Sequence, residues 1–388
     1  MKKLFPIFYL ACSLMFIGCT PKKGTDAGSS LPVIDVNKEY PVKRIDIHEL
    51  AEVTYIPLET TDSSLLQITA QVAISDSDIA VLDVLQREFF FFDNQGKFHH
   101  KVNRIGQGAE EYYVPARFDA DFENKAFYVM ERFRLQVYNF DGTYIKAIKL
   151  PKNVSRLENI INYDSNYLIT FNDSYWPSHD KFAQEADKEP FYLINKKDGS
   201  VRNFNKRLRT EKPVHRIFQM ANRQREGFRV AHILKNGDDC LLTNNASDTL
   251  YSYKNHQLEP VFVRTPSAST MDVPKLITPF AYTDAYFMFG IVPMDYEIAK
   301  KYDFNERMAP HYILDRKTNE IFQAVLYDSL LDPEFNVTDK WDIWNIFPHQ
   351  QFISNHSKNQ VVGKYKTEFV LEKLNEGKLS GKLKEMAL

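Results

Sequence analysis

Apolar residues along this chain come in alternating or continuous runs of roughly five to eight, each stopped by a short polar turn. That rhythm belongs to strands, because a strand sends every second side chain to the same face. The first four runs are Leu66 to Ile74, Ile79 to Asp83, Glu88 to Asp93 and Lys97 to Arg104. Ala116 to Phe122, Ala126 to Met130, Leu135 to Phe140 and Thr143 to Leu150 repeat them. The same fourfold grouping is read at 157–204, 228–263, 275–326 and 350–383. Turn markers near Gly96, Gly142, Gly199, Asn255, Thr318 and Gly377 recur 46 to 63 residues apart, a repeat of blade size. The pattern predicts an all-β fold: a six-bladed β-propeller of four-stranded antiparallel blades. A lone blade leaves both apolar faces open, so the ring must close. Val53, Tyr55, Ile56 and Leu58 are read as an N-terminal strand that docks on the terminal blade and closes it.

Strand order sorts the connections. Turns after first and third strands share one end of a blade, and these are tight throughout. The long connections fall at the opposite end: 105–115, 172–190, 205–227, 264–274, 292–310 and 327–349. Long loops on a rigid scaffold are where binding and catalysis concentrate. All three tryptophans, Trp176, Trp341 and Trp344, lie there, as does a basic stretch containing Arg207, Arg209 and Arg216. The tryptophans are candidates to stack on sugar rings or on a partner's apolar residues. The competing reading makes Trp341 and Trp344 the packed side of a short helix, and the basic stretch a solvated amphipathic loop. The basic residues are otherwise candidates to attract an anionic glycan or a protein.

The first residues change the picture of location. Lys2-Lys3, an apolar stretch from Leu4 to Ile17 and then Gly18-Cys19 follow the order of a secretory signal. Residues 1–18 are read as a signal peptide, with Cys19 resembling the lipidated first residue of a bacterial lipoprotein. Residues 19–37 are read as a flexible tether and 38–388 as the propeller. In the folded part only Cys240 remains, so no intrachain disulfide is expected. A net charge of −2 argues against nucleic acid as a partner, and no glycine-rich phosphate loop is present, so no cofactor is expected.

Motifs for chemistry are sparse. His99 and His100 point to opposite faces of a strand and cannot share a metal. Asp76 and Asp78 are read as turn residues, so no metal site is expected. Glu110, Glu111, Asp295 and Glu297 are the acidic loop residues available for paired-carboxylate chemistry.

Tyr55-Ile56-Pro57-Leu58-Glu59-Thr60, Phe91 to Phe98 and Arg104-Ile105-Gly106-Gln107-Gly108-Ala109-Glu110-Glu111-Tyr112 together resemble the six-bladed β-propeller lipoproteins of Gram-negative gut anaerobes, related in outline to NHL-type propellers. Relatives show a Gly-Pro-Gly-Glu-Tyr-like ending where this chain has Gly108 to Tyr112. The resemblance implies an exported lipoprotein propeller without an assigned reaction. In the same segment Arg104, Gln107 and Tyr112 are candidates for ligand contact at the channel mouth. The expected protein is an envelope module, lipid-anchored at the outer membrane and facing the periplasm, which binds a glycan, peptide or envelope protein. The alternatives are an extracytoplasmic hydrolase or lyase at the channel mouth, and a purely structural role.

Overall fold

The computed structural model describes residues 31–387 except 68–69, 132–133, 152–156, 173–189, 205–216, 220–224, 228–230, 245–246, 296–309, 335–352 and 364. Five four-stranded antiparallel blades follow one another along the chain. Blade one is Ala70–Ile74, Asp78–Asp83, Glu88–Asp93 and Phe98–Val102. Blade two is Arg117–Asp121, Ala126–Glu131, Arg134–Asn139 and Tyr144–Lys149. Blade three is Leu157–Asn162, Tyr167–Asn172, Phe191–Asn195 and Val201–Asn203. Blade four is Ala231–Asn236, Asp239–Asn244, Thr249–Lys254 and Gln257–Thr265. Blade five is Lys275–Tyr282, Tyr286–Pro293, His311–Asp315 and Ile321–Tyr327.

Alternation along the strands builds the layers between blades. Phe89 and Phe91 pack with Phe127 and Tyr138 of blade two, with Phe89 and Phe127 centroids 4.7 Å apart. Phe90 and Phe92 face the other way. Equivalent apolar layers join blades two and three, three and four, and four and five. The burial of several large side chains per layer, each worth about 1.5–3 kcal/mol, holds the ring together.

The expected count of six is corrected to five. Among the described residues, blades one and five each keep one apolar face that no sheet covers, and the two chain ends fill that position. Val33–Asp35 adds in parallel to the outer strand of blade four, inside the stretch read as tether, and Val42–Asp46 adds in parallel to the outer strand of blade five. A single-turn helix, α1 (Ile47–Leu50), follows. Strand addition by the N-terminal segment therefore occurs, but upstream of the residues expected to make it. Val53 and Tyr55 lie outside any sheet and pack against the blade-five cluster, while Ile56 and Leu58 cover Phe90 and Phe92. Pro57 between them has no N–H to give a ladder.

The described part of the C-terminal stretch read as a sixth blade holds a three-residue strand and two helices. Ile353–Asn355 lies parallel to the inner strand of blade one, while α2 (Thr367–Asn375) and α3 (Gly381–Ala387) cover Met288, Ile313 and Phe322 of blade five. The apolar run in α2 read as a strand, yet Phe369, Val370 and Leu374 sit at helical spacing. Gly377, read as a hairpin marker, is the left-handed cap of α2 at φ +72°; its N–H donates to Leu374 O and the next N–H, of Lys378, to Lys373 O, each at 3.0 Å.

Candidate functional site

The turn from His356 to Gln360 enters the axis at the end where the tight first-strand turns lie. Gln360 donates to Asp76 Oδ1 of blade one (3.2 Å), and His356 Nε2 meets Asp119 Oδ1 of blade two (2.8 Å). Asn359 N–H donates to Asn236 Oδ1 of blade four (2.6 Å), and its side-chain amide donates to Asp284 Oδ2 of blade five (3.0 Å). Blade three joins through Asn162, whose N–H donates to Asp119 Oδ2 at 2.5 Å and whose carbonyl accepts from Lys235 Nζ. This plug ties all five blades at one end of the axis.

Lys235 Nζ also lies 3.2 Å from His356 Nδ1. An ammonium has only donors, so Nδ1 accepts and the ring proton sits on Nε2, donated to Asp119. Burial opposes the charge on Asp119, but His356, the Asn162 amide and Lys235 together hold its carboxyl below the usual range. An imidazole held between an ammonium and a carboxylate is suited to fixing geometry.

A second polar cluster clasps the chain ends. Buried Asp328 accepts from Tyr55 Oη (2.6 Å) and meets His48 Nε2 at 3.2 Å, both from the N-terminal segment. Four residues on, buried Asp332 pairs with Lys378 (2.9 Å) and Lys373 (3.3 Å) of the C-terminal segment. Burial and Asp328 push the Tyr55 phenol far above its ordinary range. Sequence reading missed both clusters. Their signal was charged residues at buried phase, as in the Arg-Phe-Asp-Ala-Asp inner strand of blade two.

At the other end, connections lengthen: Val102 to Arg117, Asn172 to Phe191, Asn203 to Ala231, Thr265 to Lys275, Pro293 to His311 and Tyr327 to Ile353. Trp176, Arg207, Arg209, Arg216, Trp341, Trp344 and Glu297 lie outside the described residues. The segment from Arg104 to Tyr112 is described, and it lies on the seam between blades one and two. Tyr112 is fully buried; its hydroxyl donates to Arg87 O and accepts from Arg104 N, each at 3.0 Å. Burial pushes its phenol up to about 12. Arg104 Nε donates to Gly142 O (2.8 Å), and Gln107 is exposed. Glu111 folds back to accept from Gly108 N (2.8 Å), so close that a Cβ on Gly106 would stand 1.8 Å from its carboxylate. Gln136 and Tyr138 of blade two donate to the carbonyls of Ala109, Glu110 and Glu111.

His100 stacks on Phe91 with its Nε2 2.8 Å from Phe140 O, and Asp78 pairs with Lys125 at 2.8 Å. Burial lifts the Cys240 thiol to about 12, leaving it a poor nucleophile. Among the described residues, no group of three or more His, Cys, Asp or Glu is placed to hold a metal ion, and no helix is long and apolar enough to cross a membrane.

A family model described as Domain of unknown function (DUF4934) matches residues 31–266. A solved protein from Bacteroides fragilis, described as exported, superposes with a TM-score of 0.56 at 13% identity, covering 92% of this chain and 95% of that one. A DUF4221 member from Bacteroides vulgatus gives 0.41 at 9% identity, covering 69% of this chain and 83% of that one. A protein of unknown function from Bacteroides thetaiotaomicron gives 0.37 at 8%, covering 76% of this chain and 63% of that one. The first likeness bears on the fold. No curated protein matches the chain in sequence.

Proposed function

Because the chain belongs to the DUF4934 family, a domain of unknown function, and has a propeller ring locked at one end, we propose that it is a noncatalytic binding module of the cell envelope. In this reading Cys19 carries a lipid, the anchor lies in the outer membrane facing the periplasm, and the loop-bearing end takes a glycan, peptide or envelope protein. The observation that carries it is the polarity of the ring. First-strand turns such as Ile74 to Asp78 and Asn236 to Asp239 are tied together by the axial plug, while every long connection leaves at the other end. Buried Asp119 and the half-buried His356 and Lys235 serve that tie. The Bacteroides fragilis neighbour described as exported is consistent with an extracytoplasmic location.

Glycan arrays and envelope extracts test the binding role, comparing the intact protein with a variant carrying Trp176→Ala, Trp341→Ala and Trp344→Ala. Capture is expected to fall in the variant, and equal retention of every ligand would remove the tryptophans from the site. Cys19→Ala is expected to move the protein from the membrane to the soluble fraction and to abolish fatty-acid labelling. Unchanged labelling would rule out this anchor.

A further inference from the structure

Large apolar side chains stand exposed around one turn at the loop-bearing end of blade one. Leu65 is 61% exposed, Leu85 62%, Tyr113 57% and Val114 48%. They belong to one place. Gln86 Nε2 donates to Leu65 O (2.8 Å), and the Arg87 guanidinium lies 5.9 Å from the Tyr113 ring centroid. The turn is rigid: Asp83 Oδ1 accepts from the N–H groups of Leu85 (3.0 Å) and Gln86 (2.9 Å), and Arg87 N donates to Asp83 O at 2.7 Å. Arg87 is held at φ +60°, a conformation in which non-glycine residues are uncommon.

Charge selects the occupant. Among the described residues no carboxylate pairs with Arg87. Glu88 is bound to Lys101 (2.9 Å) and Asn103 (2.7 Å), and Glu131 to Arg134 (2.8 Å) and the Tyr113 N–H (2.6 Å). Arg87 Nη1 donates to Tyr113 O (3.4 Å), so the turn offers a guanidinium that has no carboxylate partner among the described residues, amid aliphatic and aromatic surface and fixed before any ligand arrives. We propose that this turn, with Leu65, Tyr113 and Val114, is a docking point for a segment of a partner protein in which a carboxylate side chain neighbours a large apolar one. The inference rests on the binding-module reading and names a partner class for it. Three aliphatic side chains to one aromatic fit a peptide's side chains better than a sugar, which needs flat rings and many polar groups.

The test uses the mature chain and three probes: a fluorescein-labelled peptide alternating Leu with Asp, the same peptide with Lys for Asp, and an oligouronate. The Asp peptide is expected to bind, and binding is expected to weaken about tenfold or more with Leu85→Ser or Tyr113→Ser. Arg87→Glu is expected to reverse the preference towards the Lys peptide, a readout that loss of folding would not mimic. Equal binding of both peptides, unchanged affinity in all three variants, or Arg87-dependent binding of the oligouronate alone overturns the proposal. Capture of envelope ligands that persists in these variants would leave the binding-module reading standing while this site falls.

Discussion

His311 sits buried in the third strand of blade five, edge-on to Phe280, and burial pushes its imidazole down to about 3. In the unfolded chain a histidine titrates near 6.5. Between those values the unfolded state holds a proton that the folded state refuses. This group's contribution is therefore complete above about 6.5 and is lost as pH falls, at up to about 1.4 kcal/mol per pH unit. His311→Gln is expected to flatten the fall of the urea midpoint between pH 7 and pH 5. An equally steep fall in the variant would assign the slope elsewhere. Asp119, whose carboxyl is held low, adds stability that is present above about 4 and lost in stronger acid. Its replacement by Ala should cost about 3–5 kcal/mol, as for one partner removed from a buried pair. At this scale alternation was legible: the sequence shows four phenylalanines, Phe89 to Phe92, in a strand pattern, and they divide between two faces. The hub was not legible, because Asp119, Lys235 and His356 are far apart in the chain and meet only when the ring forms.

Strand-forming segments between Ala70 and Tyr327 were readable because each blade closes its hydrogen bonds locally. The chain ends were misread because their structure depends on what they cover. Residues 353–387 fill a place that a blade would take, and helical spacing at Phe369, Val370 and Leu374 was overridden by the expectation of another repeat. Gly377 misled for a related reason, since a left-handed residue serves a hairpin and a helix cap alike. A chain truncated after residue 366 is expected to lose α2 and α3, expose Met288 and Phe322 on blade five, and bind a hydrophobic dye. Deleting residues 38–60 would remove the Val42–Asp46 strand together with Tyr55, Ile56 and Leu58, and should lower the melting temperature sharply. Unchanged melting would show that this N-terminal segment is an ornament on a ring that closes without it.

The ring as a whole has a locked end and a decorated one, and substitutions at the two ends should separate. His356→Ala is expected to speed amide exchange at Val72 to Ile74 and in the hub turn, while leaving ligand capture at the loops intact. Loss of capture with the hub still protected would reverse the assignment of ends. This polarity was legible from loop lengths alone, before any contact was known. The number of blades was not, because it depends on how the last stretch packs. The position of the hub histidine also orders events in time. Blades two to four can fold as they are synthesised, but the axis, the inner edge of blade one and the open face of blade five wait for residues beyond 352. Until the final helices emerge, the face of blade five that carries Met288 and Phe322 stays open, and the molecule would remain incompletely folded for as long as its last residues lag behind.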